Sequence, residues 1–423
     1  MKRLLYLLTL LAALGIAVAA FFFFRYRSEP TAPPPEETPL EGTLPADAKP
    51  LSLTPPAEPE EKTPEVSQPA APVSLGGGLR IISHSPTAAF AAAPNGDVVA
   101  VGTNGTVIAV RGAVTDSLSP TTIADLRSAK FSANAAKLLA LFGDAEAPQA
   151  GVFDVTSKTW QPFPLSVVDF AWAPEGLRAA YLARQKNMTV LGVLDLGDAK
   201  GKPQELARFH FADVALSWPS GNRLFLKERA SALVPVRAWN FDVKAKTLTP
   251  FAEEQRGLEV MWSRDEGLAF VAGEGGRGGN LYLISPQGSI REGLSLLTLP
   301  EKCAFSHLPA SQAGPPAFPA APKATSTAPS ALPDRQAGAP TALFCAVPRD
   351  TAVLRNTPLP DAYYKKSHFT SDVFYEINLG SGATRTLFDD PAKSLDATQL
   401  AVSDNVLYFI NRYDRKLYSL SIK

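Results

Sequence analysis

A turn motif recurring about every 43 residues, strand-like alternation from Leu79 onward, and two N-terminal segments unable to form a core together predict the architecture. It is an all-β fold, a seven-bladed β-propeller, preceded by one N-terminal transmembrane helix and a disordered proline-rich linker. The expected boundaries are 1–27 for the signal-anchor helix, 28–77 for the linker and 78–423 for the propeller.

The formal net charge of +0 hides three zones. Residues 1–27 carry Lys2, Arg3, Arg25 and Arg27 and no acid. Between the two basic pairs, Leu4 to Phe24 contains no charge, long enough at roughly 1.5 Å per residue to cross a hydrocarbon core of about 30 Å. Ala17-Val18-Ala19 also has the small-x-small form of a signal-peptidase site, so a cleavable signal peptide competes with an uncleaved signal-anchor. Phe21 to Phe24 carry the apolar run past that point and favour the anchor. Either reading puts the bulk of the chain outside the cytoplasm.

Residues 28–75 hold 13 prolines and nine acids against Lys49 and Lys62, with almost no aromatic or β-branched content. Such a segment cannot bury enough surface to fold and is expected to be an extended spacer held open by like charge.

Beyond it one unit recurs: a short apolar run ending in an aromatic, a turn of Ser, Pro, Gly or Asn, then a second apolar strand. Phe170-Ala-Trp172-Ala-Pro174-Glu-Gly176, Leu216-Ser-Trp218-Pro-Ser-Gly221 and Val260-Met-Trp262-Ser are the clearest copies. The anchors fall at 92, 131, 172, 218, 262, 305 and 402, spaced by 39, 41, 46, 44, 43 and 97 residues. A four-stranded propeller blade needs a period of this size. A third strand follows in each unit, as in Gly151-Val-Phe153-Asp154-Val155 and Gly192-Val-Leu-Asp195-Leu196. The chain ends just after a third-type strand, Leu417–Ser421, and Gly78-Leu79-Arg80-Ile81-Ile82 is expected to complete the last blade, removing the unpaired edges.

The 97-residue spacing belongs to one blade with two insertions. The first, about 307–340, holds seven prolines between 310 and 340 and is expected to be disordered. The second, about 349–372, interrupts the turn between strands two and three, so the two emerge on opposite faces. Its residues Arg349, Asp350, Arg355, Asp361, Tyr363, Tyr364, Lys365, Lys366 and His368 make it the candidate binding loop, because Tyr and Arg are over-represented at binding hot spots. A solvated long loop is the alternative.

The aromatic-Ser-Pro-x-Gly turn followed by an apolar strand and an aliphatic-Asp-aliphatic strand resembles TolB-type, WD-repeat-like β-propellers over about 79–423. Leu299-Pro-Glu-Lys-Cys303 with Leu343-Phe-Cys345-Ala-Val-Pro348 is similar to uncharacterised, membrane-anchored bacterial propeller proteins. The resemblance implies a fold and not an activity, since such propellers serve as scaffolds, receptors and gating domains of peptidases.

Cys303 and Cys345 fall on the facing first and second strands of the interrupted blade. They are readable either as a disulfide at the base of the first insertion or as two buried free thiols. Gly273-Glu-Gly275-Gly-Arg-Gly278 matches GxGxxG in form, but it joins two strands with no helix after it, so no nucleotide site is expected. His84, His210, His307 and His368 are far apart and show no metal-ligand spacing. The recurrent Asp154, Asp195 and Asp242 are expected to be turn-capping groups. No catalytic motif is found, and no cofactor, metal ion or nucleic acid is expected.

Equal numbers of basic and acidic residues, 41 each, exclude a generically basic nucleic-acid binder. The expected function is therefore a single-pass, membrane-anchored, extracytoplasmic, non-catalytic module. It would be monomeric and bind or scaffold an envelope protein, peptide or glycan. The alternative is a lyase or hydrolase acting on an envelope polymer at the central channel, and a purely structural surface-layer role is a third class.

Overall fold

The computed structural model describes residues 71–93, 96–198, 201–211, 213–264, 266–306 and 340–422. Residue contacts group the chain into two units, Met1–Glu65 and Val66–Lys423, and the described residues belong to the second. The expected membrane helix, the linker up to residue 70 and the insertion over 307–339 lie outside the described residues. Among the described residues no helix is long and apolar enough to cross a membrane.

The chain forms a seven-bladed β-propeller, each blade an antiparallel sheet built on four strands. Blade 1 runs through Thr87–Ala92, Val98–Gly102, Val107–Arg111 and Val114–Ser119. Blade 2 has Leu126–Phe131, Lys137–Phe142, Gln149–Asp154 and Thr159–Pro162; blade 3 has Asp169–Trp172, Arg178–Gln185, Met188–Asp195 and Gln204–Phe209. Blade 4 has Val214–Ser220, Arg223–Glu228, Ala238–Asp242 and Thr247–Pro250; blade 5 has Glu259–Ser263, Glu266–Ala272, Gly279–Ile284 and Ile290–Leu294. Blade 6 takes in Cys303–Ser306, Ala342–Pro348, Asp372–Asn378 and Thr384–Phe388. Blade 7 takes in Ala397–Ser403, Val406–Asn411, Leu417–Ser421 and, from the other end of the chain, Leu79–Ile81.

That last strand closes the ring, with Leu79 opposite Leu420. Here the expected linker boundary at 77 is corrected. Val73–Gly76 already pairs with Leu79–Ile81 as a fifth strand of blade 7. The reversal is a two-residue turn at Gly77 and Gly78, whose φ values of +58° and +79° fit glycine and match the twist of a hairpin.

The core is divided among seven clusters, each lying between two neighbouring blades and together running right round the ring. Second strands such as Leu138-Leu-Ala-Leu141 and Leu343-Phe-Cys-Ala-Val347 are continuous apolar runs because both faces of a blade are covered. Strand alternation then shares them out. Leu138 packs toward blade 1, while Leu139 and Leu141 pack toward blade 3.

The recurring aromatics stitch neighbouring blades. The Trp172 indole N–H donates to the Lys130 carbonyl at 2.7 Å, and the Lys130 ammonium answers with bonds to Asp169 and the Phe170 carbonyl. Arg178 lies over the Trp218 ring and Arg223 over the Trp262 ring, at 5.4 and 4.4 Å. The recurrent aspartates cap turns as expected: Asp154 accepts from the N–H groups of Thr156 and Ser157, Asp195 from Gly197 and Asp242 from Ala245. The glycine-rich 273–278 segment forms a 3-10 turn between two strands of blade 5.

Candidate binding site at the channel mouth

The two insertions of blade 6 are rooted at opposite ends of its second strand, Ala342–Pro348, one after Ser306 and the other after Pro348. The second is a folded element. Asp350 caps the helix Thr351–Arg355, accepting from the N–H groups of Ala352 and Val353, and a further helical turn spans Asp361–Tyr364. Leu354, Leu359 and Tyr363 are buried in the cluster between blades 5 and 6.

The insertion also crosses the loops joining second to third strands in three other blades. Asp361 accepts hydrogen bonds from Ser231 Oγ and the Ala232 N–H of blade 4. The Gly278 N–H of blade 5 donates to the Thr357 carbonyl at 2.9 Å. Arg412 of blade 7 donates to the carbonyls of Tyr363 and His368 and stacks on the Tyr363 ring at 3.7 Å.

This placement separates the candidate loop residues by role. Tyr363 and Asp361 hold the insertion down. Arg349 forms an exposed ion pair with Asp389. Arg355, Lys365 and Lys366 are exposed, and His368 is half-buried. Of the set, Tyr364 alone reaches the cavity described next.

A cavity of about 430 Å³ opens where the first strands converge. Its walls come from Ser217 and Trp218 of blade 4, Glu259 to Trp262 of blade 5, Glu301 and Cys303 of blade 6, Gln399 and Leu400 of blade 7, and Tyr364 of the insertion. Residues from four blades meet there because the first strand of every blade is innermost. Glu259, Glu301 and Cys303 stand at the start of their strands and lie with Tyr364 toward the end of the channel that carries the second-to-third-strand loops, while Trp218, Pro219 and Trp262 extend the lining toward the other end.

The polar groups of the cavity are unequally satisfied. Glu259 pairs with Lys227 at 3.1 Å. One carboxyl oxygen of Glu301 and the indole N–H groups of Trp218 and Trp262 are buried and have no hydrogen-bond partner among the described residues. Burial and then the Glu259 charge push the Glu301 carboxyl up to about 7, against the opposing pull of Tyr363, Arg412 and Lys302. Burial and then the carboxylates of Glu301 and Glu259 raise the Tyr364 phenol above its usual value, although the residue as a whole is 43% exposed.

Beneath Tyr363 lies a charged network. Lys302 Nζ contacts Asp372 at 2.8 Å, Asp396 at 2.6 Å and Thr370 at 2.8 Å, and Arg412 contacts Asp396 at 2.6 Å. Cys303 and Cys345 stand directly opposite one another and are joined in a disulfide. It ties the first and second strands of blade 6 at the start of their ladder, three residue pairs away from Ser306 and Ala342, where the first insertion is rooted, so it does not sit at the base of that insertion.

Trp218, Trp262, Glu259, Glu301 and Gln399 carry no site motif in the sequence. The two tryptophans read as repeat anchors. The two glutamates left a faint trace: Glu259 occupies the position three residues before its anchor where blade 3 has Asp169, and Glu301 precedes a buried lysine.

Fold and site together define the class: a seven-bladed β-propeller with an aromatic and acidic cavity at one mouth of its channel. No family model matches the chain, and neither does any curated protein. Solved structures do match. An oligogalacturonate lyase in complex with manganese is similar at 8% identity and a TM-score of 0.52, over 82% of this chain and 93% of that one. The Cps50 (Swd1) propeller domain of Myceliophteria thermophila is similar at 11% identity and a TM-score of 0.49, over 82% and 100%. TolB from Acinetobacter baumannii is similar at 9% identity and a TM-score of 0.38, over 84% and 63%. At such identities the likeness is one of fold alone.

Proposed function

We propose that the chain is a non-catalytic binding module of the cell envelope that seats a protein or peptide segment across the loop face around the channel mouth. One observation carries this reading. Of nine exposed large apolar side chains among the described residues, six lie on second-to-third-strand loops: Leu233 and Val234 of blade 4, Val353, Tyr364 and Phe369 of blade 6, and Tyr413 of blade 7. Apolar groups gathered on one face mark an interaction surface. Aliphatic side chains such as Leu233, which is 65% exposed, suit peptide side chains better than sugar rings. The uncharged stretch Leu4 to Phe24 and the disulfide support an anchored, extracytoplasmic location.

The test is capture from envelope extracts by the full chain. A Leu233→Ser, Val353→Ser, Phe369→Ser variant is expected to lose a specific partner that a Val114→Ser, Ile290→Ser control, altered on outer strands, retains. Equal capture by both would sink the proposal.

A second reading rests on Glu301 and Glu259. Two carboxyl groups in one cavity, one of them pushed up to about 7, suit general acid–base chemistry on a polymer threaded into the channel. Turnover of an envelope glycan or peptide that Glu301→Gln abolishes would establish it. Turnover unchanged in that variant would remove it.

A further inference from the structure

We infer that the channel-mouth cavity receives one basic group of the bound segment, the ammonium of a lysine or the guanidinium of an arginine. This deepens the binding reading above and rests on it. Among the charged groups gathered here, Lys227 is matched by Glu259, and the Lys302 and Arg412 pair is matched by Asp372 and Asp396. Glu301 is the carboxyl with no ion pair among the described residues; one of its oxygens is buried without a hydrogen-bond partner, and the Tyr363 hydroxyl is the neutral donor that acts on this carboxyl. An unsatisfied buried carboxylate calls for a cation with donors, and an ammonium or guanidinium supplies both charge and N–H groups.

The walls suit the same group. Tyr364 and the indoles of Trp218 and Trp262 border the cavity; Arg178 and Arg223 already lie over the two indoles, so Tyr364 is the aromatic surface offered to an incoming cation. The space, about 430 Å³, falls within the roughly 300–1,000 Å³ typical of sites that enclose a whole ligand, so a long side chain fits with its neighbours. Tyr364 stands on the insertion at the rim and would close over the stem of the entering side chain.

A pH dependence follows with a definite sign. The groups facing Glu301 are Glu259, Tyr363, Tyr364, Arg412 and Lys302. Without a ligand Glu301 takes up a proton as pH falls through about 7. An incoming cation binds the ionised form, so affinity rises with pH across that range and levels off above it.

The experiment is calorimetry on the full chain with synthetic heptapeptides of mixed composition that differ only in a central Lys, Arg, norleucine or Glu. Lys and Arg peptides are expected to bind at least about tenfold tighter than the norleucine peptide at pH 8, and to lose about tenfold between pH 8 and pH 6 as the competent, ionised fraction falls. Glu301→Gln keeps the size of the side chain and removes an unpaired carboxyl, so it is expected to fold while losing both the preference and the pH dependence. Tyr364→Ala, at an exposed position, gives an independent weakening. Equal affinity for Lys and norleucine peptides, with binding still lost in the Leu233, Val353, Phe369 variant, overturns the basic-group inference and leaves the binding surface standing. A lysine preference that survives Glu301→Gln also overturns it. Peptides that bind nowhere on this face overturn both.

Discussion

Lys302→Met is expected to lower the unfolding free energy by about 3–5 kcal/mol, the cost of stripping one partner from a buried charge cluster. The side chain is almost wholly inside the protein and its ammonium contacts Asp372, Asp396 and Thr370 within 2.8 Å. Without it, two buried carboxylates face each other. Burial already raises the Asp372 pKa, with the Lys302 charge as the leading opposing influence. Arg412 remains for Asp396 alone. The two acids hold the seam between blades 6 and 7, because Asp372 accepts from the Ala397 N–H while Asp396 accepts from the Thr370 N–H. The loss should therefore appear as a lower urea midpoint followed by circular dichroism. A change under about 1 kcal/mol would mean that the network contributes far less than buried pairs ordinarily do.

The second large effect concerns the disulfide. Replacing Cys303 and Cys345 together by Ala is expected to cost about 4 kcal/mol, from the chain entropy released when a cross-link spanning 42 residues is removed. Both residues are fully buried in the cluster between blades 5 and 6, so the substitution adds only a small loss of packing. Thermal unfolding with and without reductant gives the same comparison on the unaltered chain. A reductant that leaves the melting temperature in place while freeing both thiols would contradict the estimate.

Much of the fold is legible because a propeller repeats one physical problem seven times. Each blade needs an inner strand, a tight turn and a second strand buried on both sides. Trp172, Trp218 and Trp262 with their Gly- or Ser-containing turns therefore report the period directly. Strand closure is legible for the same reason, since Leu417–Ser421 lacks a neighbour that Leu79–Ile81 can supply. The extra strand Val73–Gly76 was missed because its composition continues that of the proline-rich segment. Only the Gly77-Gly78 reversal, and the edge waiting beside it, make it a strand.

The site is another matter. The insertion reads as a rich recognition loop, yet Tyr363 and Asp361 are spent on packing and on anchoring it to blade 4. Arg349 is taken by Asp389. The chemistry of the cavity is assembled from residues that look ordinary in the chain: Glu259 ahead of one anchor, Glu301 ahead of a cysteine, Gln399 near the C-terminus.

The number of blades, the way the ring closes and the facing positions of the two cysteines are all written in the chain. These depend on local periodicity, and period two along a strand leaves little choice of register once one face must be buried. Which polar groups are matched and which are not is settled by how the blades pack around the ring. Glu301 is a candidate because closing the ring brings Glu259 toward it, gives Lys302 and Arg412 to other acids and shuts out water. That outcome depends on distances between blades some 40 to 110 residues apart, and no local pattern in the chain encodes it.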